Sequence, residues 1–454
     1  MTTDKNLRDL DDNEIPFTSL LISTYIRPQC AGKIIFPFFF FAKSLRFMGH
    51  ATVPPALRAI VLLLAAAGVC ALAVNKTIQS EDGDVIDCVD VFQQPAFKDA
   101  PPGSRVLLQP KPERSMRAMA AAASLSSLQE LQQTWRKTGS CPPGTVGIRR
   151  DTRRASTEVA RLASPFRRPD APKVMDNNFE NKVMDNMKGK VEVAAAYACN
   201  AAYLGARVTL PYWKVDVHPD ELSMNYLLVG YSLDDHFRPF PGSPPPKTLE
   251  NQIAIGLVTW PALYGDSLSR LFVYYSNDGG VNNNCFNLDC GGFQLYPSPY
   301  VLGNSFSNAD SQVGGERYGV PVGIHRDATG ASWYVTVSDH EIGSYSETVF
   351  NTRFPEAWYV EMGGRVLNTR PGGNHTTTPM GNGIPSCAGS RFAATIMEYY
   401  AVGYNGVITN DKADRTVVTT PTCYDAKPLG FDQGRGGYTV AYGGPGGAYC
   451  DRPE

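Results

Sequence analysis

The chain has 454 residues, more than one small domain needs and enough to bury a large core. Its formal net charge is −2, so it lacks the clustered excess of Lys and Arg that a nucleic-acid surface requires, and no nucleic-acid partner is expected. The 42 Gly, 34 Pro, 22 Tyr and 21 Phe indicate many turns between aromatic-rich strands. This composition favours an all-β body.

A secretory signal is predicted at residues 48–73. Arg58 precedes an apolar run from Ala59 to Val74, and Ala71-Leu72-Ala73 fits the small-residue pattern at a signal-peptide cleavage site. A start at Met48 gives a signal of ordinary length, so residues 1–47 are interpreted as a mis-start or a disordered extension. The mature protein is then extracellular, with no membrane attachment. If the extension is real, residues 59–74 are instead a membrane anchor.

Eight cysteines follow the cleavage site, and an even number behind a secretory signal indicates disulfides. Six of the eight cysteines form the three predicted disulfides given below. The other two, Cys199 and Cys387, are paired only by elimination. Sequons at Asn75 and Asn374 predict glycosylation. The predicted disulfides are Cys88–Cys141, Cys285–Cys290 and Cys423–Cys450.

Residues 85–150 are predicted to form a small α+β unit. Val85–Val91 has the composition of a strand, and an apolar stripe between Ser124 and Arg136 predicts a helix. Residues 151–190 follow as a flexible linker, because this stretch is charged, poor in apolar residues and contains a nine-residue duplication.

Residues 191–454 form the large unit. Short β-like runs recur there, separated by turn signals such as Asn277–Gly280, and they indicate an antiparallel β-sandwich. No long helix is predicted in this unit. The predicted strands are Arg207–Trp213, Arg270–Tyr275, Phe293–Tyr296, Trp333–Val337, Ala357–Met362, Thr395–Tyr400 and Gly437–Tyr442.

Common catalytic and metal-binding patterns are missing from the sequence. His340-Glu341 lacks a second His four residues later, as a zinc-protease motif would require. Cys285 and Cys290 have no matching second pair of cysteines, so a local disulfide is favoured over a metal site. There is no nucleophile elbow around a serine. Neither a cofactor nor a metal is expected.

The large unit resembles the neprosin family of plant secreted peptidases, and the 85–150 unit resembles the family's activation segment. The resemblance extends over about residues 85–454, and its ordered blocks are highly specific. In the activation segment the matching stretches are Asp87–Asp90, Gln94–Phe97 and Cys141–Arg150. In the large unit they are Trp260–Asp266, Arg270–Gly279, Cys285–Phe293, Thr329–Tyr334, Gly363-Gly364, Met380–Gly383 and Tyr442–Gly447, with Cys450.

The resemblance implies an antiparallel β-sandwich endopeptidase, made as a zymogen, that works in acid and prefers proline. It implies catalysis by two glutamates: one carboxylate activates water as a general base, and its partner stabilises the oxyanion. The implied substrates or ligands are proteins and peptides, including proline-rich ones.

Both glutamate positions of the family pattern hold other residues in this chain. The first glutamate belongs to an Asn-x-Ile-Glu-x-Gly context, which corresponds here to Asn251–Gly256 with Ala254 in the glutamate's place. The second follows the glycine pair, where Arg365 stands. A methyl group takes no proton from water, and a guanidinium does not act as a base. The sequence therefore predicts a peptidase scaffold without its catalytic carboxylates.

Two nearby glutamates leave an alternative open. Glu250 and Glu361 each precede a vacant position by four residues, and an offset of four keeps a strand residue on the same face but moves it by about 13 Å. A bulge at Gly363-Gly364 would change that count. The two hypotheses are a secreted binding protein without peptidase activity and an active acid endopeptidase with displaced glutamates. The unusual N-terminus also raises a third, a decaying gene product.

Overall fold

The computed structural model describes residues 74–98, 129–151, 166, 190–234, 237–281, 283–306, 310–326, 332–350, 353–409, 411–447 and 450. All of them belong to one compact unit, Leu72–Glu454, and the other unit, Met1–Ala71, lies outside the described residues. The predicted signal peptide, residues 1–47 and nearly all of the 151–190 linker therefore also lie outside them. Among the described residues, no helix has the length and apolar composition needed to cross a bilayer.

A seven-stranded antiparallel sheet forms the first layer of the large unit. Near the middle of this sheet, β15 (Tyr359–Asn368) pairs with a neighbouring strand on each side along nearly its whole length, with no shift in register. In spatial order the strands are β10 (Cys285–Phe286), β9 (Ser269–Ser276), β8 (Asn251–Thr259), β7 (Leu222–Tyr231), β15 (Tyr359–Asn368), β5 (Lys190–Ala198) and β17 (Arg415–Val418).

A nine-stranded sheet forms the second layer. Its strands are antiparallel, except that the short strand β3 (Gln129–Glu130) pairs in parallel with β12 (Tyr318–Arg326). In spatial order the remaining strands are β11 (Phe293–Leu295), β14 (His340–Ser346), β13 (Ser332–Val337), β12 (Tyr318–Arg326), β6 (Tyr203–Pro211), β16 (Thr395–Gly403), β19 (Gly437–Gly443) and β18 (Asp425–Asp432).

The main core lies between the two sheets. On β8, Ile253, Ile255 and Leu257 alternate into it, and they meet residues such as Val208 and Val322 of the other sheet. This alternation follows from the two-residue period of a strand. A second apolar cluster covers the opposite face of the seven-stranded sheet, so that strand β8 is buried on both sides. The result is the all-β antiparallel sandwich that the sequence predicts.

The small unit contains a three-stranded antiparallel sheet of β1 (Val74–Gln79), β2 (Val85–Asp90) and β4 (Thr145–Arg149). Its predicted helix is wrong over the described part, because residues 129–130 are a strand and Thr134–Lys137 is a 3-10 turn. Gln133 explains the difference: its side chain bonds to the carbonyl of Val301 and to the backbone N–H of the same residue. These tertiary contacts override the helical pattern. Leu131 and Trp135 of the stripe are nevertheless buried.

The remaining helical elements are short. The α-helix of the described residues, α1 (Pro261–Tyr264), has a proline at its start and ends at Gly265, whose φ of 82° is the left-handed conformation that glycine tolerates. The other 3-10 turns of the described residues are Val91–Gln93, Pro95–Phe97, Glu347–Val349, Pro371–Gly373 and Ser386–Ala388.

The three predicted disulfides are present. The pairing of Cys199 with Cys387 by elimination is wrong: Cys199 is buried, Cys387 is exposed, and neither forms a disulfide with a described cysteine. Cys199 Sγ instead accepts a hydrogen bond from Arg415 at 2.8 Å. The sequon residues Asn75 and Asn374 are both exposed.

Candidate functional site

The candidate site lies on the face of the seven-stranded sheet that points away from the main core. Ala254 of β8 and Glu361 of β15 stand in one cross-strand row, because both are paired with Leu228 of the intervening strand β7. Two strand spacings separate them, roughly 10 Å. Arg365 lies four residues further along β15, opposite Met224. The sheet thus places Glu361, and not Arg365, in the row of Ala254.

The glycine pair before Arg365 does not form a bulge. Strand β15 pairs residue by residue with β5 and β7 through Gly363 and Gly364, with no shift in register. A Cβ added to Gly363 would lie 2.4 Å from the carbonyl oxygen of Ala194 on β5, so the close approach of the two strands requires a residue without a side chain. The offset of four residues between Glu361 and Arg365 is therefore fixed by the sheet.

Glu361 and Arg365 form a buried ion pair, with Arg365 Nη2 2.7 Å from Glu361 Oε1. Tyr226 connects the two groups: its hydroxyl donates to Glu361 Oε1 and accepts from Arg365 Nε at 2.8 Å. Tyr359 donates its hydroxyl to Glu361 Oε2 at 2.6 Å. Both oxygens of the glutamate are thus occupied, and its side chain is oriented by three partners.

The pair is charged inside a low-dielectric site. Burial acts to raise the pKa of Glu361, but the charge of Arg365 and the hydrogen bonds from Tyr226 and Tyr359 outweigh it and hold the pKa below its usual range. The pKa of Arg365 is raised, because Tyr226 and Glu361 outweigh the effect of burial. Burial raises the pKa of Tyr226 well above its ordinary value, so its phenol remains protonated.

Phe166 covers this site from outside the sheet. Its ring packs 4.6 Å from the ring of Tyr274 and edge-on to Tyr226 at 5.1 Å between centroids. The guanidinium carbon of Arg365 lies 4.7 Å from the Phe166 centroid and 4.9 Å from that of Tyr226, within cation–π distance of both rings. Phe166 falls in the stretch predicted to be a flexible linker, yet only 1% of its surface is exposed.

The remaining predicted site residues do not supply a second carboxylate. Ala254 is fully buried and lies in the apolar cluster with Phe166, Phe272 and Tyr274. Glu250 precedes β8 and bonds within its own loop, to the N–H of Leu233 at 2.8 Å and the hydroxyl of Thr248 at 2.5 Å. Within the described residues, the structure does not bring Glu250 into contact with Glu361.

Among the described residues, the charged partner of Glu361 is the cation of Arg365 rather than a second carboxyl. Oε1 of Glu361 accepts two hydrogen bonds and Oε2 accepts one, so one lone pair of Oε2 remains, but the nearby charge of Arg365 lowers the pKa of Glu361 and makes it a weaker base. In the mechanism that the family resemblance implies, a partner carboxyl shares or donates the proton, and Ala254, in the cross-strand row of Glu361, has only a methyl group. The cation of the site, Arg365, is only 4% exposed and is covered by Phe166, so a ligand would reach it after Phe166 had moved aside.

Two further glutamates, Glu192 and Glu221, are fully buried, and the sequence did not predict them as site residues. Glu192 accepts from Asn368 Nδ2 at 3.1 Å and contacts His375 Nδ1 at 3.1 Å. Glu221 accepts from the N–H of Thr369 at 3.0 Å and from the hydroxyls of two further threonines. Glu192 occurs in a Lys-Val-Glu-Val run that resembles an alternating strand with a solvated glutamate, so no signal in the sequence indicates its burial.

These glutamates do not form a convincing metal site. Among the described residues, Glu192, His375 and Cys423 place one potential ligand atom each within 4.8 Å of one another. Cys423 is bonded to Cys450, and a disulfide sulfur is not the thiolate that a metal requires. The hydrogen bonds of Glu192 and Glu221 instead anchor the loop after β15, which carries Asn374.

Two family models match the chain: Neprosin over residues 242–445 and Neprosin activation peptide over residues 77–196. Among solved structures, Scytalido-glutamic peptidase with a peptide-based transition-state analogue is similar at 8% identity, over 57% of this chain and 98% of the other, with a TM-score of 0.29. SCP-B of the eqolisin family, bound to the tripeptide Ala-Ile-His, gives 7% identity over 57% and 98%, with a TM-score of 0.27. The homodimeric agglutinin CG-16 from chicken liver gives 14% identity over 40% and 92%, with a TM-score of 0.18. Sequence identities and TM-scores this low do not allow a function to be inferred for this chain.

Proposed function

The chain belongs to the neprosin family, and we propose that it is a secreted member that binds peptide or protein ligands without cleaving them. In this proposal the peptidase scaffold is retained, while both positions of the family's glutamates have lost their carboxylates. The ligand occupies the outer face of the seven-stranded sheet and includes proline-rich chains, as the family resemblance implies.

The proposal rests on the surroundings of positions 254 and 365 in the structure. Ala254 is fully buried among aromatic rings, and Arg365 is ion-paired with Glu361. A positioned acid or base typically contributes about 10²–10⁴-fold to a rate. Loss of both groups should therefore leave peptide hydrolysis near the uncatalysed background.

One observation favours the alternative, an acid endopeptidase with displaced glutamates. Glu361 shares its cross-strand row with Ala254, so it lies closer to that position than the count along β15 alone suggests. The alternative still requires a second carboxylate, and Glu250, the other candidate, bonds within its own loop. For this reason we favour the binding protein.

The test is an assay at pH 3–5 with proline-containing peptides, on the secreted protein and again after proteolytic removal of its 85–150 unit, because an unprocessed zymogen would not cleave under either hypothesis. We expect no cleavage above background, together with measurable binding of the same peptides by calorimetry. A variant with Ala254→Glu, Arg365→Glu and Glu361→Gln should gain some acid-dependent cleavage. Glu361→Gln is included because the carboxylate of Glu361 would otherwise repel the new glutamate at position 365.

The matched control is Glu361→Gln alone. If the unchanged protein cleaves the peptides in acid and this single substitution abolishes cleavage, the enzyme is active and the binding proposal is wrong. Circular dichroism of each variant distinguishes a loss of chemistry from a loss of the fold, since Ala254 is fully buried and a glutamate there could disturb the packing. Failure of the unchanged protein to bind any of the peptides would also contradict the proposal.

We further propose that the mature chain begins near Val74 and is glycosylated at Asn75 or Asn374. The exposure of both asparagines supports this. N-terminal sequencing of the extracellular protein tests it, and retention of residues 1–47, or an uncleaved anchor at residues 59–74, would contradict it.

A further inference from the structure

A separate cavity of about 470 Å³ opens on the outer face of the nine-stranded sheet. Thr395 and Met397 of β16 line it, while Ile396 between them belongs to the main core, so the cavity lies on the side of that sheet away from the core. The peptide site described above lies on the outer face of the other sheet. The two sites are therefore on opposite sides of the sandwich.

Three arginines line this cavity: Arg317, Arg391 and Arg435. Two acidic residues accompany them, and both already have partners. Glu316 Oε2 accepts the hydroxyl of Tyr318 at 2.8 Å. Asp432 accepts the N–H of Gly434 at 3.0 Å and pairs with Arg435 at 3.7 Å. The positive charges thus exceed the negative ones, in a protein whose formal net charge is −2.

Arg317 and Arg391 remain without a carboxylate partner among the described residues. Among those residues the partner of Arg391 is the ring of Phe392, whose centroid lies 5.7 Å from the guanidinium carbon. Arg317 is half-buried at the cavity wall, and burial together with the nearby charge of Arg435 lowers its pKa. A bound anion reduces the repulsion between like positive charges that are held together in a partly desolvated pocket. The planar guanidinium group is well matched to a carboxylate, which it binds through two parallel hydrogen bonds.

The strands around the cavity argue against a peptide as the occupant. β12, β16 and β19 are interior strands of the sheet, whereas β18, which ends at the lining residue Asp432, is an edge strand. An extended peptide that adds to a sheet needs a free edge. The cavity lies on the face of the sheet, over Thr395, Met397 and Thr439, and a peptide added to β18 would lie beside the sheet instead. Recognition in the cavity therefore comes from side chains, and the available ones are arginines, hydroxyls and aromatic rings.

The aromatic groups point to a sugar. Phe392 is exposed and its ring would contact a Cβ at Gly314, one of the cavity residues, at 3.6 Å, which places the ring at the rim. Tyr318 is part of the wall. A ring offers a flat apolar surface to a sugar face, while the hydroxyl of Thr439, which donates to the carbonyl of Gly430 at 3.2 Å, can accept a hydrogen bond from a sugar hydroxyl.

We propose that this cavity binds an acidic polysaccharide, with the carboxylates of its uronate units held by Arg317 and Arg391 and a sugar face against Phe392. The proposal is independent of the peptide-binding function, because none of these residues belongs to the site around Arg365.

The test is calorimetric titration of the full-length protein with a short oligogalacturonate at low ionic strength. We expect binding that weakens as salt is added, because the contacts are charged and partly exposed. The fully methyl-esterified oligomer, which lacks the carboxylates, should not bind. Arg317→Ala and Arg391→Ala should each weaken binding about tenfold or more, since hydrogen bonds to charged groups are among the strong ones.

Lys427→Ala is the matched control, because Lys427 is an exposed cation on β18 of the same sheet and does not line the cavity. It removes the same charge and should leave affinity unchanged. Absence of oligogalacturonate binding, or an equal loss in the Lys427→Ala variant, overturns the proposal. Tighter binding of poly-glutamate overturns the assignment to a glycan, and tighter binding of a heparin fragment overturns the assignment to a carboxylate. Arg317→Lys keeps the charge and provides a second variant, which should retain part of the affinity.

Discussion

Arg365 and Glu361 form their ion pair along a single strand, four residues apart, and their side chains approach each other above Gly363. Four residues of strand span about 13 Å, so both long side chains must lean toward each other to reach the 2.7 Å contact. Gly363, which lies between them on the same face, presents no side chain in their path. An arginine at position 365 can therefore form a buried, charged pair without distorting the sheet.

The first prediction concerns the stability of this pair. Glu361→Gln should lower the free energy of unfolding by roughly 3–5 kcal/mol, because it leaves the buried guanidinium of Arg365 without a counter-charge. Denaturant unfolding monitored by tyrosine and tryptophan fluorescence measures the change. Glu250→Gln is the control, since Glu250 is bonded at a loop and its loss should cost much less. Equal effects of the two substitutions would contradict this prediction.

The second prediction is the pH dependence of the same contribution. The pKa of Glu361 is depressed in the folded state, so its contribution is present above the pKa of an unfolded glutamate and is lost as the pH falls through the folded value. The stability difference between the unchanged protein and Glu361→Gln should be constant from pH 7 to about 5 and shrink below about 4. Denaturant titrations across this range measure it. A difference that grows as the pH falls would contradict the ionised state of Glu361.

The third prediction concerns the glycine between the two charges. Gly363→Ala should destabilise the protein by more than 1 kcal/mol, because its Cβ would lie 2.4 Å from the carbonyl of Ala194 and the strand would have to move. Gly434→Ala is the control, since its Cβ would meet nothing closer than 3.4 Å and should have little effect. Thermal unfolding of both variants measures the difference. A neutral Gly363→Ala would mean that β5 and β15 can separate at no cost.

The strands of this fold could be predicted from the sequence where apolar and aromatic residues are dense. Arg270–Tyr275, for example, was predicted and is extended by one residue at each end in β9. Strand β5 was missed, because its run Val193–Ala198 is rich in alanine and has little intrinsic strand propensity. It is a strand because β15 and β17 pair with it on both sides. The end of β15 was missed because Gly363-Gly364 resembles a turn in sequence.

The site could be located from the sequence but not assembled. The motif positions identified Ala254 and Arg365, and both lie on the outer face of the seven-stranded sheet. The ion pair with Glu361 could not be predicted, because it depends on side-chain directions that a spacing of four does not specify. Phe166 could not be predicted either, since its position in the site depends on a long-range contact and its neighbours in sequence have no apolar pattern.

The fourth prediction concerns Phe166 as the cover of the site. Phe166→Ala should expose Arg365 and the ring of Tyr226, because Phe166 packs on both. Affinity for proline-containing peptides should rise, while the free energy of unfolding falls by about 3–5 kcal/mol for a buried aromatic side chain. Calorimetry and denaturant unfolding measure the two effects. Phe240→Ala is the control, since 58% of Phe240 is exposed. Unchanged peptide affinity in the Phe166→Ala variant would show that the ring does not block the ligand.

The last prediction concerns the attachment of the small unit to the sandwich. Asp84, in the turn between β1 and β2, accepts from Arg270 Nη1 at 2.5 Å and from Arg149 Nε at 2.8 Å. Arg270 of β9 is almost fully buried, so it depends on this carboxylate as well as on Asp266. Asp84→Asn removes one of its two counter-charges and should destabilise the attachment by several kcal/mol.

Hydrogen–deuterium exchange measures this effect locally. In the Asp84→Asn variant, the amides of β1, β2 and β4 should exchange faster, while those of β7 and β8 should be unchanged, because the sandwich core does not depend on the small unit's charge. Asp87→Asn is the control: its partner Arg150 is 48% exposed, and exposed pairs contribute little. If Asp87→Asn accelerated exchange as much as Asp84→Asn, the buried charge would not be what holds the small unit in place.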